Sequence, residues 1–290
     1  MEINYSIIIP HKNTPDLLCR CLDSIPKRDD IQIIVVDDNS DEGKVNFSTF
    51  PGINDKCVEV YFTKEGKGAG YARNVGLKHA KGKWLLFADS DDFFVPNVEQ
   101  IIDTYLNEEA DMIIFKSSSV DSESMALTNR SEKINKLIDN CISGKISALD
   151  VALGVHVPWC RMIRHKLVKD NNILFDEVIA SNDTMFTTKV SCLSNQIRVV
   201  SDILYTITYR AGSLWDSRKR DHNNFLTRIE VLINRNKFLK EKGYPASPAI
   251  LYLLASKISS PILFLKALWL IIYRGALFTG LGFFVIKKLK

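Results

Sequence analysis

A chain of 290 residues, 46% hydrophobic and 25% charged, has room for one large α/β domain, alone or with an appended segment. Its ordinary composition excludes a disordered or fibrous protein, and a net charge of +4 is too slight to argue for nucleic acid as a partner. The six cysteines (Cys19, Cys21, Cys57, Cys141, Cys160 and Cys192) form no Cys-x-x-Cys pair and no zinc-spaced cluster, which fits scattered thiols in a reducing compartment. Residues 1–4 lead straight into an apolar run without the basic leader of a signal peptide, so the expected location of the catalytic part is the cytosol.

Residues 6–9 are a β-branched run closed by Pro10, expected as a buried parallel strand. Pro15 is placed for the first turn of a helix carrying Leu17, Leu18, Leu22 and Ile25. Residues 31–36 form a second buried strand that stops on Asp37-Asp38, and residues 58–62 alternate like a third strand nearer an edge. The glycine loop at residues 66–70 lacks both the P-loop ending and a proper G-x-G-x-x-G, and it leads into a helix with Arg73 in its first turn. Arg73 there reads either as a solvated cation or as a group reaching an anion at the sheet's edge.

The apolar run at residues 84–88 stops abruptly on Asp89-Ser90-Asp91-Asp92. Carboxylates packed this closely raise one another's pKa unless a cation sits among them. Hard oxygen ligands beyond the carboxyl end of a strand suit Mg²⁺ or Mn²⁺ holding a diphosphate. An acidic turn capping the next helix is the plainer alternative. A helix at residues 98–106 and a strand at 111–115 follow, so strands and helices alternate as βαβ units and predict a mainly parallel sheet.

Residues 116–130 are serine-rich without apolar period and read as a loop or sheet-edge excursion; residues 147–153 read as a short helix. Asp183 falls in the cap region of a helix that runs on to residue 193, as an N-cap or a general base. Residues 197–201 and 204–209 read as paired strands, and Arg210 to Ser213 as a turn able to fold over a phosphate or simply solvated. Residues 221–242 form an amphipathic helix. Residues 258–290 are rich in Ile, Leu, Phe and Trp, with apolar runs shorter than the roughly 20 residues a bilayer span needs. With Trp269, Tyr273 and a basic end, this tail is expected to lie in or re-enter an anionic leaflet; a helical pair packed on protein is the alternative.

In order, SIIIPHKN, IIVVDDNSDEG, GYARNVGLKHAKGKWLLFADSDD, PWCRMI and SNDTMF resemble the family 2 glycosyltransferases of GT-A fold, over about residues 6–213. The resemblance implies an α/β GT-A fold with a mainly parallel central sheet flanked by helices, here followed by an apolar helical tail. It also implies a nucleotide-sugar donor, favouring UDP, a divalent Mn²⁺ or Mg²⁺, and inverting transfer of a hexosyl or N-acetylhexosaminyl group to an acceptor hydroxyl. Carried over by residue, Pro10 lies by the nucleoside, Asp38 bonds the uracil, Arg73 helps hold the nucleotide, Asp89 sits near the ribose and metal, Asp91 ligates the metal, and Asp183 is the catalytic base. Asn182 replaces the glutamate of the family's Glu-Asp pair, and Trp159-Cys160-Arg161 stands where relatives often have W-x-K. Trp159, Arg161, Asn182, Arg210 and Ser213 are therefore the candidate acceptor or phosphate contacts.

The expected organisation is a transferase domain over residues 1–220, with a nucleotide-binding half to residue 115 and an acceptor-binding half after it. An amphipathic helical region at 221–257 and a membrane-associating tail at 258–290 complete it. A cytosolic transferase held at the inner face of the cell membrane suits a saccharide or lipid-linked acceptor in surface polysaccharide or glycolipid synthesis. The sequence leaves homo-oligomerisation open. Two other readings are a non-catalytic nucleotide-sugar-binding subunit of a membrane complex and a nucleotidyltransferase; the loop His11-Lys12-Asn13-Thr14 lacks the glycines the latter needs.

Overall fold

A computed structural model describes residues 2–210, 224–256, 258, 260–277 and 279. The first two strands, β1 (Tyr5–His11) and β2 (Ile31–Asp38), are buried at every residue, as apolar runs covered on both sheet faces must be. Between them, α1 (Pro15–Asp23) starts on Pro15, whose fixed φ suits the first helical position. Beyond β2 come β3 (Val58–Thr63), α2 (Ala69–His79) and β4 (Trp84–Phe87). The glycine loop ends sooner than the sequence suggests: Gly68, at φ +92°, is the residue before α2.

Next in the chain are β5 (Phe93–Phe94), α3 (Val98–Thr104), β6 (Met112–Asp121), α4 (Glu132–Ile142) and α5 (Ala148–Gly154). These are followed by β7 (Arg161–Arg164), α6 (His165–Asp170), α7 (Thr184–Leu193) and β8 (Ile197–Tyr209). Among the described residues the strands form one sheet in the order β3-β2-β1-β4-β7-β6-β8-β5.

The expectation of a mainly parallel sheet is corrected to a mixed one. Pairs β3–β2, β2–β1, β1–β4 and β6–β8 are parallel, but β7 runs antiparallel to both β4 and β6, and β5 antiparallel to β8. The short β7 returns between β4 and β6 with Leu85 and Met112 both opposite Ile163, which separates the two parallel halves. Residues 116–121 are strand rather than loop. Across three consecutive serines it is burial that alternates, with Ser117 and Ser119 buried; the Ser117 backbone pairs with the Asn135 amide, and Ser119 donates to the Thr128 carbonyl. The two predicted strands at 197–209 are a single strand of 13 residues.

After β8 in the described chain lie α8 (Phe225–Glu241), α9 (Ala249–Ala255) and α10 (Pro261–Tyr273). They close their own small core, in which Phe225, Ile229, Ile233, Leu253, Ala267 and Ile271 are buried together. The membrane-associating tail is overturned here. At 13 residues, α10 spans about 20 Å, against a hydrocarbon layer of about 30 Å, and no helix among the described residues is long and apolar enough to cross a membrane. Part of its apolar character serves packing: Ala267 and Ile271 face the helical core and Arg274 pairs with Glu230 of α8 at 2.8 Å, while Ile262, Leu265, Trp269, Ile272 and Tyr273 are exposed. The expectations of a membrane surface as partner and of peripheral attachment to the cell membrane fall with the tail that motivated them. The last eleven residues, with Lys287, Lys288 and Lys290, lie outside the described residues.

Candidate active site

A cleft of about 790 Å³ opens beyond the carboxyl ends of β1, β2 and β4, where open α/β sheets bind ligands. Asp38 ends β2, and one of its oxygens accepts from the Gly68 N–H (2.9 Å) and from Lys12 (3.4 Å). Its other oxygen is buried without a hydrogen-bond partner. An unpaired buried acceptor is costly, so this oxygen calls for a donor from a ligand. Pro10 and His11 line the cleft beside it. His11 Nδ1 meets Asp37 Oδ1 at 2.7 Å while Nε2 accepts from the Thr14 N–H at 3.1 Å, which makes the ring a neutral Nδ1–H tautomer that ties β1 to β2.

The acidic turn after β4 is held from below by β8. The Asp89 N–H donates to the hydroxyl of the fully buried Tyr205 (2.8 Å), Thr208 Oγ1 donates to the Asp91 carbonyl (2.7 Å), and the Thr208 N–H donates to Asp92 Oδ1 (2.7 Å). Arg20 of α1 adds a bond to the Asp91 carbonyl at 2.8 Å. With its backbone fixed this way, the turn brings Asp89, Asp91 and Asp92 to the wall of the cleft, but Asp92 is 3% exposed and its Oδ1 is committed to Thr208. Burial, followed by the Asp89 charge, pushes the Asp91 carboxyl above its ordinary range. Burial also pushes Asp92 well above it, with the charges of Asp91 and Asp89 adding to the effect.

Asp89 Oδ1 accepts from Arg73 at 2.5 Å, and the same guanidinium donates to Asn182 Oδ1 at 2.9 Å. Arg73 is thus a buried fork joining the acidic turn to the loop at residues 176–182 that precedes α7. The loop is pinned to α2 at two further places. Asn74 exchanges hydrogen bonds with the backbone of Phe175 (3.0 and 2.8 Å), and Gly70 lies so close that a Cβ there would sit 2.1 Å from the Asp176 carbonyl oxygen. The loop closes on itself through the Asp176 N–H to the Asn182 carbonyl (3.1 Å), with Ser181 at φ +60°. Asp183 follows at the start of α7. Its side chain makes no cap hydrogen bond and it lines the cleft, so the plain N-cap alternative does not account for it.

Of the residues expected from sequence, the structure brings Pro10, Asp38, Arg73, Asp89, Asp91, Asn182, Asp183 and Arg210 to this one cleft. Two are elsewhere. Trp159 is buried, stacked on Tyr205 with ring centroids 5.4 Å apart, and supports the acidic turn from behind. Arg161 is fully buried: it donates to Ser191 and to the carbonyls of Ala152 and Val155 at the end of α5, and burial pushes its pKa down to about 10. Neither is positioned to touch a ligand in the cleft. Ser213 lies outside the described residues.

Sequence reasoning missed Lys12, Lys67, Arg130, Asn224 and Arg228, which also line the cleft. Arg228 carries the one available signal: a cation in the first turn of α8, where the helix dipole favours acids and none is present.

The donor set fits a divalent cation in part. Asp89 and Asp91 supply hard carboxylate oxygens, and Asp91 forms no ion pair among the described residues although the fields of Arg130 and Arg210 reach it. No group of three or more His, Cys, Asp or Glu able to hold a metal is found among the described residues, so ligand oxygens would have to complete the shell.

The model of glycosyl transferase family 2 matches residues 6–171, more than half of the chain. The chain belongs to that family. At 27% identity over 243 residues, the transferase resembles the poly(ribitol-phosphate) beta-N-acetylglucosaminyltransferase TarS of Staphylococcus aureus, covering 79% of this chain and 41% of that protein. It is equally 27% identical to a poly(ribitol-phosphate) beta-glucosyltransferase of Bacillus spizizenii, over 80% of this chain and 36% of that protein. The chain therefore spans about two fifths of the length of each of these two relatives. The crystal structure of S. aureus TarS 1-349 in complex with UDP-GlcNAc superposes with a TM-score of 0.64 over 94% of this chain and 81% of that one, at 22% identity. A match this extensive makes the helices α8–α10 part of the shared fold.

Proposed function

We propose that this family 2 transferase moves a hexosyl or N-acetylhexosaminyl group from a UDP-sugar to an acceptor hydroxyl with inversion, in the synthesis of a cell-surface polysaccharide. The observation that carries the reading is the convergence of Asp38, Arg73, Asp89, Asp91 and Asp183 from four separate segments on one cleft. The relatives named for beta-glucosyl and beta-N-acetylglucosaminyl transfer, and a like fold holding UDP-GlcNAc, support the donor class.

In this reading the unpaired oxygen of Asp38 accepts the imide N–H of uracil, and Arg73 donates to the donor's diphosphate. A divalent cation at Asp89 and Asp91 would neutralise the charge that develops on the departing diphosphate. Asp183 takes the proton of the acceptor hydroxyl, whose oxygen attacks the anomeric carbon from the face opposite the leaving UDP. One C–O bond forms as the other breaks, which inverts the centre.

The test is calorimetric titration of UDP, GDP, CMP and dTDP with and without Mn²⁺, followed by sugar release from the matching donor. UDP binding that strengthens with Mn²⁺ is expected, and no binding by folded protein overturns the reading. Asp183→Asn should lower turnover by about 10²–10⁴-fold with UDP affinity kept within about threefold; parallel loss of both would make Asp183 structural.

A further inference from the structure

Arg73 has two partners of unequal charge. The residue is 5% exposed, with one arm of its guanidinium on Asp89 Oδ1, the other on Asn182 Oδ1, and its Nε buried without an acceptor. An arginine can only donate, so Asn182 must turn its amide oxygen toward it. That fixes the amide's orientation and leaves the NH₂ group free, since no acceptor among the described residues meets it. The fork Asp89–Arg73–Asn182 is electrically neutral as a unit. A carboxylate at position 182, the acid expected from the family pattern, would give the same fork a net negative charge where an anionic ligand has to approach.

We infer that Asn182 is a charge-setting and positioning residue of the donor site. It holds Arg73 in place as a neutral clamp, so that the guanidinium, shared with one carboxylate only, stays available to a second anion, the donor's diphosphate. Its free NH₂ adds a hydrogen-bond donor beside Asp183 that a glutamate could not supply. Gly70 and the Asn74–Phe175 bonds keep the loop close enough for this contact, because any side chain at position 70 would push the loop away from α2.

The inference rests on the nucleotide-sugar reading, and the experiment separates the two. Calorimetry on the full chain compares UDP with uridine for the unmodified protein, Asn182→Asp and Asn182→Ala. The near-isosteric Asn182→Asp should weaken UDP about tenfold, or about 1.4 kcal/mol, while uridine, which has no phosphate, binds unchanged. Asn182→Ala should weaken UDP by a smaller factor, about threefold, through loss of orientation alone. Unchanged UDP affinity in Asn182→Asp overturns the inference, as does equal loss of UDP and uridine, which would mark a merely structural role. If the unmodified protein binds neither ligand, the nucleotide reading falls. The clamp is then decided on ligand-free protein, where it requires Asn182→Ala to lower the Tm, and an unchanged Tm refutes it.

Discussion

Asp91 and Asp92 are neighbours of one residue type whose surroundings give them different work. Asp92 is closed off and bonded to Thr208, so its carboxylate belongs to the scaffold. Asp91 faces the cleft with burial and Asp89 both acting against its charge. A carboxyl whose folded pKa is raised costs stability as pH rises through its ordinary range, because ionising it in place is disfavoured. Asp91→Asn should therefore leave the ligand-free protein as stable or raise its Tm at neutral pH. A gain of about 1 kcal/mol would appear as about 2–4 °C in a domain of this size. The same substitution should abolish any Mn²⁺-induced increase in Tm. A marked fall in Tm, or a retained response to Mn²⁺, would remove Asp91 from the metal-site candidates. Arg161 makes the opposite point: it keeps the positive charge of a familiar motif position but spends it on the carbonyls ending α5.

At Gly70, α2 lies close against the loop before α7. Replacing a helical glycine by alanine ordinarily stabilises by about 0.5–1 kcal/mol. At Gly70 the added methyl would lie 2.1 Å from the Asp176 carbonyl oxygen and 3.0 Å from the Asn182 Cβ, so the sign should reverse. Gly70→Ala is expected to lose about 1–3 kcal/mol in chemical denaturation and to slow transfer by displacing Asp183. An alanine variant with full turnover and higher stability would show that the loop needs no such contact.

Most elements near this junction are legible in the sequence, because parallel strands advertise themselves as unbroken apolar runs that stop on the site residues. The rest is not, for identifiable reasons. Residues 117–119 are three consecutive serines held by groups elsewhere in the chain, the Ser117 backbone by Asn135, the Ser119 hydroxyl by the Thr128 carbonyl and the Ser118 hydroxyl by Thr206, so no apolar period marks the strand. The antiparallel β7 is four residues long and its pairing depends on where the chain returns. The apolar residues of α10 look alike whether they meet lipid or Ile229 and Leu253; only the tertiary partner decides.

At the scale of the whole molecule, the helical region is fastened to the sheet domain by Arg235 of α8, which donates to Thr188 Oγ1 of α7 at 3.0 Å and to the Leu153 carbonyl of α5 at 2.9 Å. Half-buried His156 sits near this junction. Burial, then the charges of Arg235 and Arg161, pushes its pKa down to about 3. In the unfolded chain a histidine titrates near 6.5, so below that pH the unfolded state gains a proton the folded state refuses. Stability should fall as pH drops from about 6.5 toward 4, before most carboxylates titrate. Urea denaturation across that window should give a shallower decline for His156→Gln than for the unmodified protein; identical slopes would place the acid sensitivity elsewhere.

Asn224 and Arg228 belong to the cleft although they lie beyond the stretch that carries every recognisable motif. A cut after residue 220, inviting on sequence grounds, would part the strand that braces the acidic turn from the helix that closes the far side of the cleft. The fragment would keep all of its signature aspartates and still be a vessel with one wall missing.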